Sequence, residues 1–68
     1  MQAQEQETTP LRWSVGDLIT VVFHGRCNGD FGTIVKIEKR PGFVAQHTVI
    51  LANGAEIILT PIQCRVLA

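Results

Sequence analysis

Five short apolar runs, separated by turn signals about every eight to twelve residues, constrain the fold of this chain more than any other feature. The runs are rich in β-branched and aromatic residues, which favour strands, and none shows the periodicity or length of a helix. They cover residues 18–23, 33–38, 47–51, 55–59 and 64–67. The pattern predicts an all-β domain of five short antiparallel strands.

Turn residues separate these runs. Val15-Gly16-Asp17 precedes the first run, and Asn53-Gly54 precedes the fourth. Asn-Gly favours a type I′ hairpin turn, because both residues tolerate the positive φ that this turn requires. Pro61-Ile62-Gln63 ends the fourth run and suits a short 3-10 turn before the last strand. Because a chain of 68 residues is too short for two full sheets, we expect the strands to form a small barrel, which removes most exposed edges.

The composition predicts a single domain that is preceded by a polar N-terminal segment. Residues 1–10 are polar and end in proline, so we expect a flexible N-terminal tail, followed by a single β-barrel domain over residues 11–68. The chain shows neither the pattern of a signal peptide nor an apolar run long enough to cross a membrane. We therefore expect a cytoplasmic protein, without membrane insertion, whose cysteines are reduced and packed as small apolar side chains.

Size and charge exclude some functions. A domain of this length buries only about 60% of the surface of its unfolded chain, which leaves little material for a deep cleft. We therefore expect no enzyme activity, no cofactor and no small-molecule substrate. The formal net charge is zero, and without Glu5 and Glu7 the chain carries six basic and four acidic residues. This balance is weak for a protein that binds phosphates through several Lys and Arg contacts.

A local motif resembles a known domain. Gly16-Asp17-x-Ile19-x-Val21, then Gly25, then Gly29-x-x-Gly32-x-Ile34-x-x-Ile37 resembles the KOW motif of transcription elongation factors and ribosomal proteins. The resemblance covers residues 16–37 and implies a Src-homology-3-like barrel, a fold that binds RNA, DNA or proteins. Residues 31–42 also resemble a small barrel protein of photosystem I, which implies an accessory subunit of a larger electron-transfer complex.

The cysteines and histidines offer the residue types of a zinc or thiol site. His24 and Cys27 form an H-x-x-C pair, whereas His47 and Cys64 lie far along the chain. Zinc sites and catalytic thiols both use these side chains. The spacing does not match a zinc motif, and no orienting carboxylate is recognisable. We expect neither a metal site nor catalytic residues.

A nucleic-acid site is one of two binding hypotheses. Basic side chains near the first loop and the second turn could contact phosphates, and an aromatic ring beside them could stack on bases. Asp30 and Glu38 interrupt this group. The candidate residues, which could also form the polar rim of another interface, are Arg26, Phe31, Lys36, Lys39 and Arg40.

Protein docking is the hypothesis that the strand pattern favours. Because side chains alternate between faces, the inward set Ile19, Val21, Ile34, Ile37, Val49, Leu51, Ile57 and Leu59 leaves Leu18 and several other aliphatic residues pointing outward. A solvated antiparallel strand is normally polar on that face, and an exposed apolar patch indicates an interaction site. We expect a protein partner or a second copy of the chain to bind Val22, Val35, Ile50, Ile58 and Phe43.

Overall fold

A computed structural model describes residues 12–67. It contains one antiparallel sheet with the strand order β4-β3-β2-β1-β5. The strands are β1 (Leu18–Val21), β2 (Phe31–Glu38), β3 (Gln46–Leu51), β4 (Glu56–Leu59) and β5 (Cys64–Val66), with 3-10 turns at Gly25–Cys27 and Pro61–Gln63. The prediction of five antiparallel strands with a 3-10 turn before the last is confirmed. The predicted tail, residues 1–10, lies outside the described residues.

The connection between β4 and β5 requires a curved sheet. These strands follow each other in the chain but lie at opposite edges of the sheet. The edges of a flat five-stranded sheet would be about 19 Å apart, whereas a connection that contains a 3-10 turn reaches only about 14 Å. No pairing joins β4 to β5 within residues 12–67, so the sheet is not closed. The predicted barrel is therefore not confirmed.

The concave inner face of the sheet carries the core. The predicted inward residues lie there, six of them buried and Ile37 and Ile57 half-buried. Cys64 completes the buried set, and Trp13 and Cys27 pack against it. The buried predicted residues are Ile19, Val21, Ile34, Val49, Leu51 and Leu59. Within residues 12–67 no helix is long and apolar enough to cross a membrane.

A β-bulge in β2 changes the alternation of its side chains. Ile34 pairs with Val49 and Lys36 with Thr48, so Val35 is the extra residue without a partner. An extra residue on one strand shifts the parity of every residue after it. For this reason Ile34 and Ile37, three positions apart, both face the core.

The turn between β3 and β4 is not the predicted type I′ turn. A type I′ turn needs positive φ at both central residues, but among the described non-glycine residues only Phe23 has a positive φ. Instead the Gly54 N–H donates to the Leu51 carbonyl at 2.8 Å, and Gly54 itself has a φ of 91°. A tight turn followed by a left-handed glycine is the three-residue hairpin loop. The Asn53 side chain supports it by accepting from the Ala55 N–H at 2.9 Å.

Gly32 allows β2 and β3 to lie close together over the core. It lies in β2 opposite Ile19 and Leu51. A Cβ atom here would come within 2.6 Å of Val49 Cγ1 and 2.9 Å of the Ile50 carbonyl oxygen. A side chain has no room at this position, so β2 depends on a glycine in its second residue.

Trp13 attaches the segment before β1 to the core. Its indole N–H donates to the Cys64 carbonyl at 2.8 Å. Its ring lies beside the His47 imidazole, with the ring centroids 5.7 Å apart and tilted by 56°. Trp13 thereby fixes the described residues before the first strand against the start of the last one.

Candidate docking face

The outer face of the sheet carries a shallow apolar depression. It has a volume of about 600 Å³ and lies over β1, β2 and β3. Leu18 and Phe31 are both more than half exposed there. The depression is also lined by the core residues Ile19 and Leu51 and by Ala52. We use the term outer face for the five larger apolar residues of its lining that lie outside the core, Leu18, Phe31, Val35, Ile50 and Leu67.

The strand register explains why these side chains are contiguous. Leu18 pairs with Thr33, and Thr33 pairs with Ile50, so the three side chains form a row across the sheet. Cross-strand neighbours of this kind lie about 5 Å apart and contact one another. The Leu67 N–H donates to the Leu18 carbonyl at 2.9 Å, which extends the row beyond β1. Phe31 lies next to this row on β2, paired with Thr20.

Opposite charges border the outer face. Glu56 on β4 pairs with Ile50, and Arg65 on β5 pairs with Thr20. Since β4 and β5 are the two edges of the sheet, one edge of this face carries an acid and the other a base. Ile58, which is also exposed, lies on β4 beside Thr48 and extends the apolar surface towards the acidic edge.

The five predicted interface residues do not form one surface. Val35 and Ile50 lie in the outer face and Ile58 lies beside it. Val22 is half-buried after β1, where its N–H donates to the Gln63 carbonyl at 2.9 Å. Phe43 is 73% exposed in the β2–β3 loop, at the other end of the molecule. A loop residue and a residue past the end of a strand cannot be assigned to a face by alternation.

Three residues of the outer face, Leu18, Phe31 and Leu67, were not among the predicted interface residues. Leu18 was predicted to point outward but was not included in the interface. Phe31, 58% exposed, was predicted as part of the nucleic-acid or rim set, because β2 begins two residues earlier than expected. Leu67 follows the short strand β5. Alternation from buried Cys64 would have placed Leu67 on the outer face.

The predicted basic residues are far apart. Arg26 lies in the 3-10 turn before β2, and Lys39 and Arg40 follow its end. Eight residues of strand separate these groups by about 25 Å. Lys36 lies between them on the outside of β2, paired with Thr48. Glu38 contacts Arg40 at 4.0 Å and partly neutralises its charge.

The cysteines are free thiols in the structure. Cys64 is buried and Cys27 half-buried. Burial raises the pKa of the Cys64 thiol to about 11, and its Sγ lies 3.6 Å from the Thr60 carbonyl oxygen. Residues 12–67 contain no group of three or more His, Cys, Asp and Glu side chains placed to hold a metal ion. A thiol with a raised pKa is a poor nucleophile at neutral pH.

Phe23 has a strained backbone. Its φ of 54° lies in the left-handed region, which a bulky residue rarely adopts. Its side chain is 75% exposed. The Gln63 side chain holds the strained segment by donating from Nε2 to the Phe23 carbonyl at 2.9 Å. The sequence gives no sign of this conformation, because it depends on a contact across 40 positions of the chain.

His47 is a buried ionisable residue of the inner face. It is 1% exposed, and its Nδ1 atom has no hydrogen-bond partner among residues 12–67. Burial, and secondarily the positive charge of Lys39, hold the pKa of this imidazole below its usual value. The neutral form is therefore the form that the fold favours.

Acidification is expected to weaken the fold through His47. Because its pKa is lower in the folded protein, the unfolded chain binds a proton first as the pH falls below about 6.5. The contribution of His47 to the free energy of unfolding should be constant above that pH. At lower pH the free energy of unfolding should decrease by at most about 1.4 kcal/mol per pH unit. Urea titrations at about pH 7.5 and about pH 5 measure the difference. H47L should lose this dependence, whereas H24L should keep it; a flat wild-type profile contradicts the prediction.

No family model, curated protein or solved structure matches this chain. The all-β five-stranded antiparallel sheet is established by the structure, and no family is assigned by similarity. The function is therefore inferred from the geometry of the outer face.

Proposed function

We propose that this protein is a non-catalytic binding module that docks on a second copy of itself through the outer face. The observation that carries the proposal is the contiguous apolar surface formed by exposed Leu18, Phe31, Val35 and Leu67 together with half-buried Ile50. On a solvated antiparallel sheet these positions would normally be polar, and an exposed apolar patch marks an interaction site.

The fold is best interpreted as an open relative of the Src-homology-3-like, KOW-type barrel. Supporting features are the glycine-rich motif between Gly16 and Ile37, the curved five-stranded sheet and the 3-10 turn at Pro61–Gln63. In such small sheets the core fills the inner face, so the outer face remains free to bind.

The charges at the two edges favour a second copy as the partner. A two-fold axis parallel to the strands would place β4 of one protomer over β5 of the other. Glu56 of one copy would then approach the edge that carries Arg65 in its partner, and the same contact would occur twice. The formal net charge of zero adds no overall repulsion between copies.

The size of the outer face sets the expected strength of the contact. A patch about four strand spacings wide and six residues long covers about 400 Å² on each copy. A total near 800 Å² is smaller than the interfaces of stable complexes and falls in the range of weak, transient contacts. We therefore expect reversible association in the micromolar range rather than a permanent dimer.

Nucleic-acid binding has less geometric support. The basic side chains lie at opposite ends of β2, and Glu38 lies beside Arg40. A phosphate chain is normally followed by several cations along one groove. Docking on a different protein, as an accessory subunit would, uses the same apolar face and predicts no self-association.

Replacing Phe31 by glutamate is expected to raise the dissociation constant of the dimer at least about tenfold, because a charge replaces a central apolar contact. F43E is the matched control, since Phe43 is similarly exposed but lies in the β2–β3 loop, away from the outer face. Sedimentation velocity between about 1 and 200 μM measures both constants.

Three results test this proposal. A wild-type protein that remains monomeric over the whole concentration range overturns self-docking. If F31E and F43E weaken the dimer equally, the contact does not lie specifically in the outer face. Weakening by F31E alone, with unchanged circular dichroism, supports it.

A further inference from the structure

A second cavity lies on the side of the sheet opposite the outer face. It has a volume of about 290 Å³ and lies where the segment before β1 meets the end of β2 and the start of β3. Its lining combines two cations with aromatic and apolar walls. The principal lining residues are Arg12, Trp13, Ile37, Lys39, His47 and Pro61.

Within residues 12–67, the charged side chains that line this cavity are both positive. Arg12 and Lys39 line it, and no carboxylate of these residues does. The ion pair found within residues 12–67 joins Arg40 to Glu38, outside the cavity. Lys39 lies close enough to His47 to contribute to its lowered pKa. An anion between these groups would offset their mutual repulsion.

The ring nitrogens on the cavity walls leave the binding of an anion to Arg12 and Lys39. His47 Nδ1 has no hydrogen-bond partner among residues 12–67, but it is closed to solvent and therefore does not open into the cavity. The indole N–H of Trp13 is already used by the Cys64 carbonyl, so Trp13 offers an aromatic surface rather than a donor.

We propose that this cavity binds a small organic carboxylate with a flat apolar body. Arg12 would bind the carboxylate through its planar guanidinium, and Lys39 would add a second charge-assisted contact. Trp13, Ile37 and Pro61 would contact the apolar body. The cavity is at the lower limit of ligand sites, which restricts the ligand to about the size of benzoate.

A carboxylate with an apolar body can come from two sources, a free acid or the C-terminus of a peptide. Benzoate is the probe for the first, and an acetylated tripeptide that ends in phenylalanine is the probe for the second. Tighter binding of benzoate identifies a free acid, and tighter binding of the peptide identifies a chain terminus. Both results support a carboxylate site, and neither depends on the outer face.

Trp13 allows binding to be observed directly, because it is the single tryptophan of the chain and lines the cavity. The full chain is titrated with sodium benzoate, with benzamide, and with sodium chloride at equal ionic strength. The measured quantities are the Trp13 indole N–H resonance and the melting temperature. Benzoate should shift the resonance saturably and raise the melting temperature, whereas benzamide and chloride should do neither.

Charge-removing variants assign the contacts. R12Q and K39Q should each weaken benzoate binding about fivefold or more, because each removes a charge-assisted hydrogen bond. R26Q and K36Q are the matched controls, since neither residue lines the cavity; both should bind benzoate like the wild type. All four side chains are outside the core, so the variants should fold. Absence of saturable binding, an equal response to chloride, or equal losses in the control variants overturns the proposal.

Discussion

Replacing Ile34 by alanine is expected to leave most of the protein unfolded at 25 °C. Ile34 is fully buried at the centre of the inner face, on the middle strand of the sheet. Truncating such a residue costs about 2–5 kcal/mol, because apolar contacts are lost and a cavity remains. The core of a domain this small rarely supplies more than about 3–5 kcal/mol of net stability. Urea titration followed by circular dichroism measures the loss.

Ile62→Ala is the matched control for this prediction. Ile62 lies in the 3-10 turn before β5 and is 70% exposed. The same truncation there should change the free energy of unfolding by less than about 0.5 kcal/mol. Similar losses in the two variants would mean that the inner face is not the centre of stability.

Replacing Gly32 by alanine has the second largest expected effect, a loss of about 1–3 kcal/mol from overpacking. The added Cβ would meet Val49 Cγ1 at 2.6 Å and the Ile50 carbonyl oxygen at 2.9 Å. The Val49 side chain can rotate, but the carbonyl belongs to a paired strand and cannot move without breaking the ladder. The midpoint of urea unfolding measures the change.

Gly42→Ala separates crowding from backbone strain. Gly42 has a φ of 82°, and a Cβ there would meet no atom within 4 Å. Its replacement should therefore cost only the conformational term, about 1–2 kcal/mol. A Gly32→Ala variant as stable as the wild type would show that β2 and β3 can separate to admit a side chain.

The strands were predictable because they depend on local chemistry. Runs of β-branched residues bounded by glycine, asparagine and proline identified all five strands. Alternation identified six of the buried residues but not His47 or Cys64. Placing Ile34 and Ile37 on the same face already required one extra residue, which the structure shows as the bulge at Val35. Closure was not predictable in this way, because it depends on the curvature of the whole sheet.

The candidate site was only partly predictable. Val35 and Ile50 could be placed on the outer face from strand parity, whereas Val22 and Phe43 lie outside regular strand, where parity has no meaning. The turn at Asn53-Gly54 was located correctly, but its geometry depends on the Leu51–Ala55 pairing around it. The proposed carboxylate site could not be predicted from the sequence, because Trp13 and His47 come together only after the sheet folds.

The pairing of β1 with β5 has a consequence for how the molecule opens. Strands β2, β3 and β4 are joined by local hairpins, whereas Ile19 pairs with Val66 across most of the described chain. Closing such a long loop costs chain entropy, and only three residue pairs compensate for it. The pairing of β1 with β5 should therefore separate before the hairpins do. Separation would move Leu67 away from Leu18 and break the hydrogen bond between Trp13 and Cys64. The last strand therefore stabilises structure on both faces of the sheet.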